Sequence, residues 1–263
     1  MPRYLYIMGG GPRIAYSVGT VWAFEQIGIE FDGIFCVSAG TLVGMYYACK
    51  KSQVELLQLV IRTFSRQSPY ILPSNGLLFD IKEFTRNMEI FPTTRVEVVS
   101  TILSGQSRLD PLSSQSLLAT MAIPGVTCAK YPQIDGVDCI DGSINLFPTT
   151  IISGATGPAH ITVLPNRSSL GLGSSAAELY WGLRAGLNLP PAIIMRALTR
   201  RRRFREAVKI APSYDLEVEI LWPEGPDLTF ENTEQALYSA ASQAAESTLR
   251  RFGHGNKPFP KTT

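Results

Sequence analysis

Apolar positions along the chain switch between a strand-like and a helix-like rhythm from the N-terminus onward. Residues 4–8, Tyr-Leu-Tyr-Ile-Met, form an unbroken apolar run, which predicts a strand buried on both faces, as in parallel sheets covered by helices. Residues 14–27 place apolar groups at helical spacing, Ile34 and Phe35 mark a second strand, and 41–48 a second helix. Further on, the pattern predicts helices over 54–64 and 81–88 and strands over 95–104 and around 127–140. Asp135-Gly136 provides a hairpin turn within the latter region. A short helix over 117–122 is stopped by Ile123-Pro124, because proline disfavours helical geometry in the residue before it. Residues 161–164 form another apolar strand.

Two stretches break this rhythm. Residues 67–78 are loop-like yet rich in large apolar groups, which suits either a lipid-contacting lid or a loop packed over the core. In 174–208, Tyr180, Trp181, Leu183 and Leu187 stand at near-helical spacing and Pro190-Pro191 interrupts. A second helix then carries Ile193, Ile194, Met195 and Leu198 into Arg200, Arg201, Arg202 and Arg203. Arginines beside an apolar helical face point to peripheral contact with anionic lipid headgroups, while the plain alternative is a solvated basic helix end.

Composition supports a covered sheet. Of 263 residues, 45% are hydrophobic and 17% charged, against about 25% charged in typical soluble domains. No Gly/Ser/Pro linker divides the chain, so a single domain is expected over 1–253, followed by a polar, flexible tail over 254–263. The net charge of +2 gives nucleic acid binding no electrostatic support. Cys36, Cys49, Cys128 and Cys139 lack metal-ligand spacing, so no metal is expected. A strand beginning just after Met1-Pro2-Arg3, and no apolar run of the roughly 20 residues that span a bilayer, lead to the expectation of a cytoplasmic protein.

Three segments carry candidate chemistry. Cys36-Val37-Ser38-Ala39-Gly40 falls where a strand turns into a helix, which exposes a serine and aims the helix's first N–H groups at a reacting oxygen. The same pentapeptide also fits a purely structural turn. Gly9-Gly10-Gly11-Pro12-Arg13 follows the first strand. Read as a dinucleotide fingerprint, it has Ile14 in place of the third glycine, and Asp32 precedes the second strand instead of ending it. Read as an oxyanion hole, it needs a nucleophilic serine nearby, which Ser38 supplies. Asp141-Gly142-Ser143 lies at a strand-to-loop junction, where Asp141 is either a base for Ser38 or part of an ordinary turn.

The order and spacing of these motifs, with Gly19, Ala119-Thr120-Met121-Ala122-Ile123-Pro124, Asn145 and Pro148, resemble the patatin-like phospholipase family. The resemblance covers most of 4–151 and, more weakly, 161–165 and 216–253, where a strand, a P-E-G-P loop and a final helix look like the family's closing elements. It implies a three-layer α/β/α fold with a mostly parallel central sheet, and hydrolysis of lipid acyl esters without a cofactor. By position it implies Ser38 as nucleophile, Asp141 as base, and Gly9, Gly10 and Gly11 as oxyanion loop, with Arg13, Gly40 and Gly142 in support. Cys36 stands where the family usually has glycine, and Ile14 where it usually has a second one.

Histidine scarcity favours two catalytic residues over three, since a Ser-His-Asp triad needs a histidine to carry the proton. The chain has only His160, beside the 161–164 strand, and His254, in the tail. Other readings of the same scaffold are an acyltransferase or thioesterase using the same dyad, and a lipid-binding or regulatory protein without turnover.

Overall fold

The computed structural model of the chain describes residues 1–65, 90–123, 127–128, 130–145, 151, 158–165, 189–223, 233–253 and 258–260. β1 (Arg3–Ile7), α1 (Ile14–Ile27), β2 (Gly33–Val37), α2 (Gly40–Ala48) and α3 (Gln53–Phe64) follow the expected alternation. After them come β3 (Val96–Ile102), β4 (Ser107–Pro111), α4 (Ser114–Thr120), β5 (Gln133–Ile134) and β6 (Val137–Asp141). β7 (Ala159–Leu164), α5 (Pro191–Ile210), β8 (Leu216–Ile220) and α6 (Glu234–Arg251) complete the described elements. The segments 67–78 and 81–88, the aromatic run Tyr180 to Leu187 and residues 224–226 of the P-E-G-P loop lie outside the described residues.

The strands make one mixed sheet in the order β5-β6-β3-β2-β1-β7-β8, with β4 also on β3. β3, β2, β1, β7 and β8 are parallel, and β4, β5 and β6 run antiparallel to their partners. Successive side chains of a strand point to opposite faces, so each apolar strand feeds two cores. Leu5, Ile7, Ile34, Cys36, Val96 and Val98 pack under residues of α1, α2, α3 and α6. Tyr6, Phe35, Val37, Val99, Ile161 and Val163 pack with Ala207 and the partly buried Phe204 and Val208 of α5. The result is the three-layer α/β/α architecture expected from the sequence.

One register detail positions the site. β4 pairs with Glu97 to Thr101 of β3 and so occupies one edge of that strand. The other edge is shared: β2 takes Val96 to Val99, and β6 takes Ser100 to Ile102. The C-terminal ends of β2 and β6 therefore meet head to head, Val37 opposite Val99 and Asp141 opposite Ser100. The residues after Val37 are brought onto Asp141 although 103 positions separate Ser38 from it.

Close approaches elsewhere rest on glycines. A methyl group on Gly19 of α1 would lie 1.9 Å from the Ala241 carbonyl oxygen of α6, so only glycine lets these helices touch. The tail departs from expectation at 258–260. Phe259 is buried, its ring edge-on to Trp22 at 5.1 Å, and Tyr238 donates from its hydroxyl to the Phe259 carbonyl at 3.0 Å. A large aromatic that finds a pocket overrides the polarity of its neighbours.

Candidate active site

Ser38 occupies the turn between β2 and α2 with φ of 53°, in the left-handed region that a non-glycine residue adopts at a cost. The turn is held from three sides. The Ser38 N–H donates to Thr120 Oγ1 at 2.8 Å, and the Thr120 hydroxyl donates onward to the Val99 carbonyl. The Thr41 N–H donates to the Ser38 carbonyl at 3.0 Å, which starts α2. A methyl group on Gly40 would sit 2.6 Å from the Ile7 carbonyl oxygen, so the α2 N-terminus crosses the end of β1 at backbone distance.

The Ser38 hydroxyl donates to Asp141 Oδ2 at 2.7 Å. The other carboxylate oxygen, Oδ1, accepts from the Ser143 N–H at 2.7 Å and from the Ser143 hydroxyl. Both Ser38 and Asp141 are buried, 8% and 4% exposed. Burial raises the Asp141 pKa above the ordinary carboxylate value, opposed by the hydrogen bonds from Ser143 and Ser38 and by the Arg200 cation. A carboxylate whose pKa is moved towards neutrality is a stronger base at neutral pH. Gly142 lets this junction close: a methyl group there would meet the Val99 carbonyl oxygen at 2.1 Å.

Gly9 lies directly against the serine, since a methyl group on it would fall 2.2 Å from Ser38 Cβ and 2.9 Å from Oγ. Gly11 has φ of 56°, and the Arg13 N–H closes the turn onto the Gly10 carbonyl at 3.2 Å. The glycine loop, Ser38 and Asp141 thus converge, with Gly40 and Gly142 at two close backbone crossings. Asp32 is at the other end of the sheet, accepting from the Arg3 N–H at 2.7 Å, away from the glycines a dinucleotide fingerprint would pair it with. His160 is also at that end: it pairs with Arg3 on parallel β1 and lies 3.5 Å from Glu217 and from Glu219. His254 is outside the described residues.

Cys36 finds its room in α2. Its Sγ fills the space a methyl group on Gly44 would take, 2.2 Å from that position, so the thiol points away from the turn. Full burial pushes its pKa up and makes it unreactive. Among the described residues no group of His, Cys, Asp and Glu could hold a metal ion, and no helix is long and apolar enough to cross a membrane. A small cavity between α1 and α6, lined by Ser17, Thr20, Thr248 and Arg251 among others, contains neither Ser38 nor Asp141.

Arg200, Arg202 and Arg203 do not form a single patch, since successive helical residues are about 100° apart. Arg203 turns inward and donates to the Ile144 carbonyl at 3.0 Å and to Asn145 Oδ1. Arg200 acts on Asp141, and Arg202 is exposed and paired with Glu206 at 2.7 Å. The side chain of Arg201 is outside the described residues. Thr120 and Asn145 fall in motifs legible in the sequence, but the supporting contact from Arg203 had no signal there.

Residues 5–151 match the family described as patatin-like phospholipase. With this fold and more than half of its length matched, the chain belongs to the patatin-like phospholipase family, whose members are lipid acyl hydrolases. One solved structure it resembles is VipD from Legionella pneumophila, at 10% identity and a TM-score of 0.44, covering 95% of this chain. The chain spans 66% of that structure's length, just under two thirds. No curated protein matches it.

Proposed function

We propose that the chain is a serine-dependent lipid acyl hydrolase of phospholipase A, lysophospholipase or esterase type, with Ser38 and Asp141 as its dyad. The 2.7 Å hydrogen bond from Ser38 Oγ to Asp141 Oδ2 carries this reading. Asp141 takes the hydroxyl proton as Oγ attacks the ester carbonyl. The tetrahedral oxyanion is met by backbone N–H groups of the Gly9–Gly11 loop and the start of α2, each such donor worth about 3 kcal/mol of barrier. Asp141 then protonates the departing alkoxide, leaving an acyl-serine. Water enters, gives its proton to Asp141, attacks the acyl carbon and releases the fatty acid, with the proton returning to Ser38.

The test is intact-mass spectrometry after exposure to a lipid-like fluorophosphonate, on the native chain and on Ser38→Ala. One adduct on the native protein and none on the variant is the expected result, together with loss of ester turnover. An unlabelled native chain, under conditions that label a known serine hydrolase, would favour a lipid-binding scaffold without turnover.

The substrate is drawn from a lipid surface, which the outer face of α5 contacts. Met195, Leu198, Arg202, Arg205 and Lys209 are all exposed and follow one another at intervals of three or four residues, making one stripe. An apolar start and a basic continuation suit an anionic interface.

A further inference from the structure

The inward side of the same helix bears on the reaction itself. Asn145 is 2% exposed and ends the short turn Gly142–Ile144 that follows Asp141, its N–H donating to the Gly142 carbonyl at 2.9 Å. Its Nδ2 donates to Thr101 Oγ1 at 3.1 Å and to the Gly105 carbonyl at 3.4 Å, which ties the turn to the β3–β4 hairpin. That leaves the carboxamide oxygen for a donor, and Arg203 Nη1 supplies it. Arg203 Nη2 donates to the Ile144 carbonyl at 3.0 Å and to the Arg196 carbonyl of its own helix at 2.6 Å. One guanidinium thus joins α5 to two consecutive residues of the turn. A solvated arginine would keep its rotamer freedom; this one gives it up.

The turn so fixed carries Ser143, whose N–H and hydroxyl hold Asp141 Oδ1 and leave Oδ2 for Ser38. A shift of the turn would move Ser143, rotate the carboxylate and lengthen the Ser38 hydrogen bond. Burial of the guanidinium, and secondly the like charge of Arg196, make the arrangement costly, with Glu206 opposing them, so packing convenience is a poor account of it. We infer that Arg203 is a positioning residue for the acyl-transfer step, which it serves by clamping the 142–145 turn and so aiming Asp141 at Ser38. The inference rests on the dyad reading above.

The experiment uses the full chain with Arg203→Ala, Arg203→Lys, Asn145→Ala, the double variant Arg203→Ala/Asn145→Ala, and Ser38→Ala. Hydrolysis of a soluble 4-nitrophenyl butyrate probe, the rate of fluorophosphonate labelling and the melting temperature are measured for each. Arg203→Ala is expected to lower kcat and the labelling rate by about 100-fold, the scale of a small misplacement of a catalytic group. KM and melting temperature stay near native. Arg203→Lys falls between the two, because an ammonium keeps the charge but lacks the planar fork that reaches four acceptors, Thr199 Oγ1 at 3.4 Å among them. The double variant is no slower than the slower single, since both act through one turn. Native kcat in a folded Arg203→Ala, or a raised KM at unchanged kcat, overturns the inference; if that variant does not fold, native kcat in Arg203→Lys overturns it. Ser38→Ala separates the two readings. Full turnover without Ser38 removes the dyad and the clamp together, whereas an inactive Ser38→Ala beside a fully active Arg203→Ala removes the clamp alone.

Discussion

Asp141 sets the terms at the scale of single residues. Its pKa in the folded chain is raised by burial, while the unfolded chain keeps the ordinary value of about 3.9. Between those two values the native state binds the extra proton, so stability falls as pH rises through the window, and at neutral pH the buried carboxylate is a net cost. Asp141→Asn removes that cost and keeps an oxygen for Ser143. The variant should be inactive and melt above the native chain at pH 7.5, with the difference shrinking as pH falls towards 4; a lower melting temperature at pH 7.5 would mean that the carboxylate is net stabilised. The same shift puts the acidic limb of kcat/KM above the ordinary carboxylate range. Ser38, Asp141 and the glycines were legible because each sits at a strand end, where a short motif dictates local geometry. The contacts that support them were not, even where a supporting residue stood in a legible motif. Thr120 reaches Ser38 across 82 positions and Arg203 reaches Asn145 across 58, and only the packed sheet and helices create those contacts.

Among the elements, α2 and β2 are tightly fitted. Cys36 sends its sulfur into the space over Gly44, so the first small residue of the turn and a helix glycine eight positions later have exchanged bulk. Gly44→Ala would put a methyl group 2.2 Å from that sulfur, and Ile34 Cγ2 stands at 3.3 Å. The helix must then move off the sheet, which costs about 1–3 kcal/mol and carries the Ser38 turn with it. Loss of stability and of fluorophosphonate labelling is expected for Gly44→Ala, and recovery of both in Cys36→Ala/Gly44→Ala. A double variant as damaged as the single would show that the backbone, not the thiol, sets the fit. The β1-α1-β2-α2-α3 run was readable because its strands are apolar throughout and its helices keep their period. β4 was not: Ser-Arg-Leu-Asp-Pro is mostly polar, and Gly105, with φ of 87°, makes the turn that returns the chain along β3. α4 starts three residues earlier than its apolar pattern, at the Ser113 capping box, and ends at Thr120, whose hydroxyl is bound to Val99 and Ser38. The shared edge of β3, which brings β2 and β6 end to end, is a property of register and has no trace in periodicity.

For the molecule as a whole, α5 presents two different faces. Arg196, Arg203, Phe204 and Ala207 serve the sheet and the Asp141 turn, and the stripe from Met195 to Lys209 faces outward, with Leu198 72% exposed. With a net charge of only +2, attraction to an anionic surface must come from such a local stripe. Arg202 keeps a partner in Glu206, but an exposed pair of this kind is worth little and is readily exchanged for lipid phosphate. Each basic residue near an anionic membrane contributes about 1 kcal/mol. Arg202→Gln/Arg205→Gln should therefore weaken pelleting with phosphatidylserine vesicles by about 30-fold, and added salt should narrow the gap by screening. Turnover of the soluble ester should stay native in that variant. Arg203→Gln should do the reverse, slowing the soluble reaction while vesicle binding persists, because its guanidinium is spent on Ile144 and Asn145. Equal vesicle binding by the native chain and the Arg202/Arg205 variant would remove the outer stripe from the interface, and a fall in binding for Arg203→Gln alone would mean that the basic run meets lipid by its inward side.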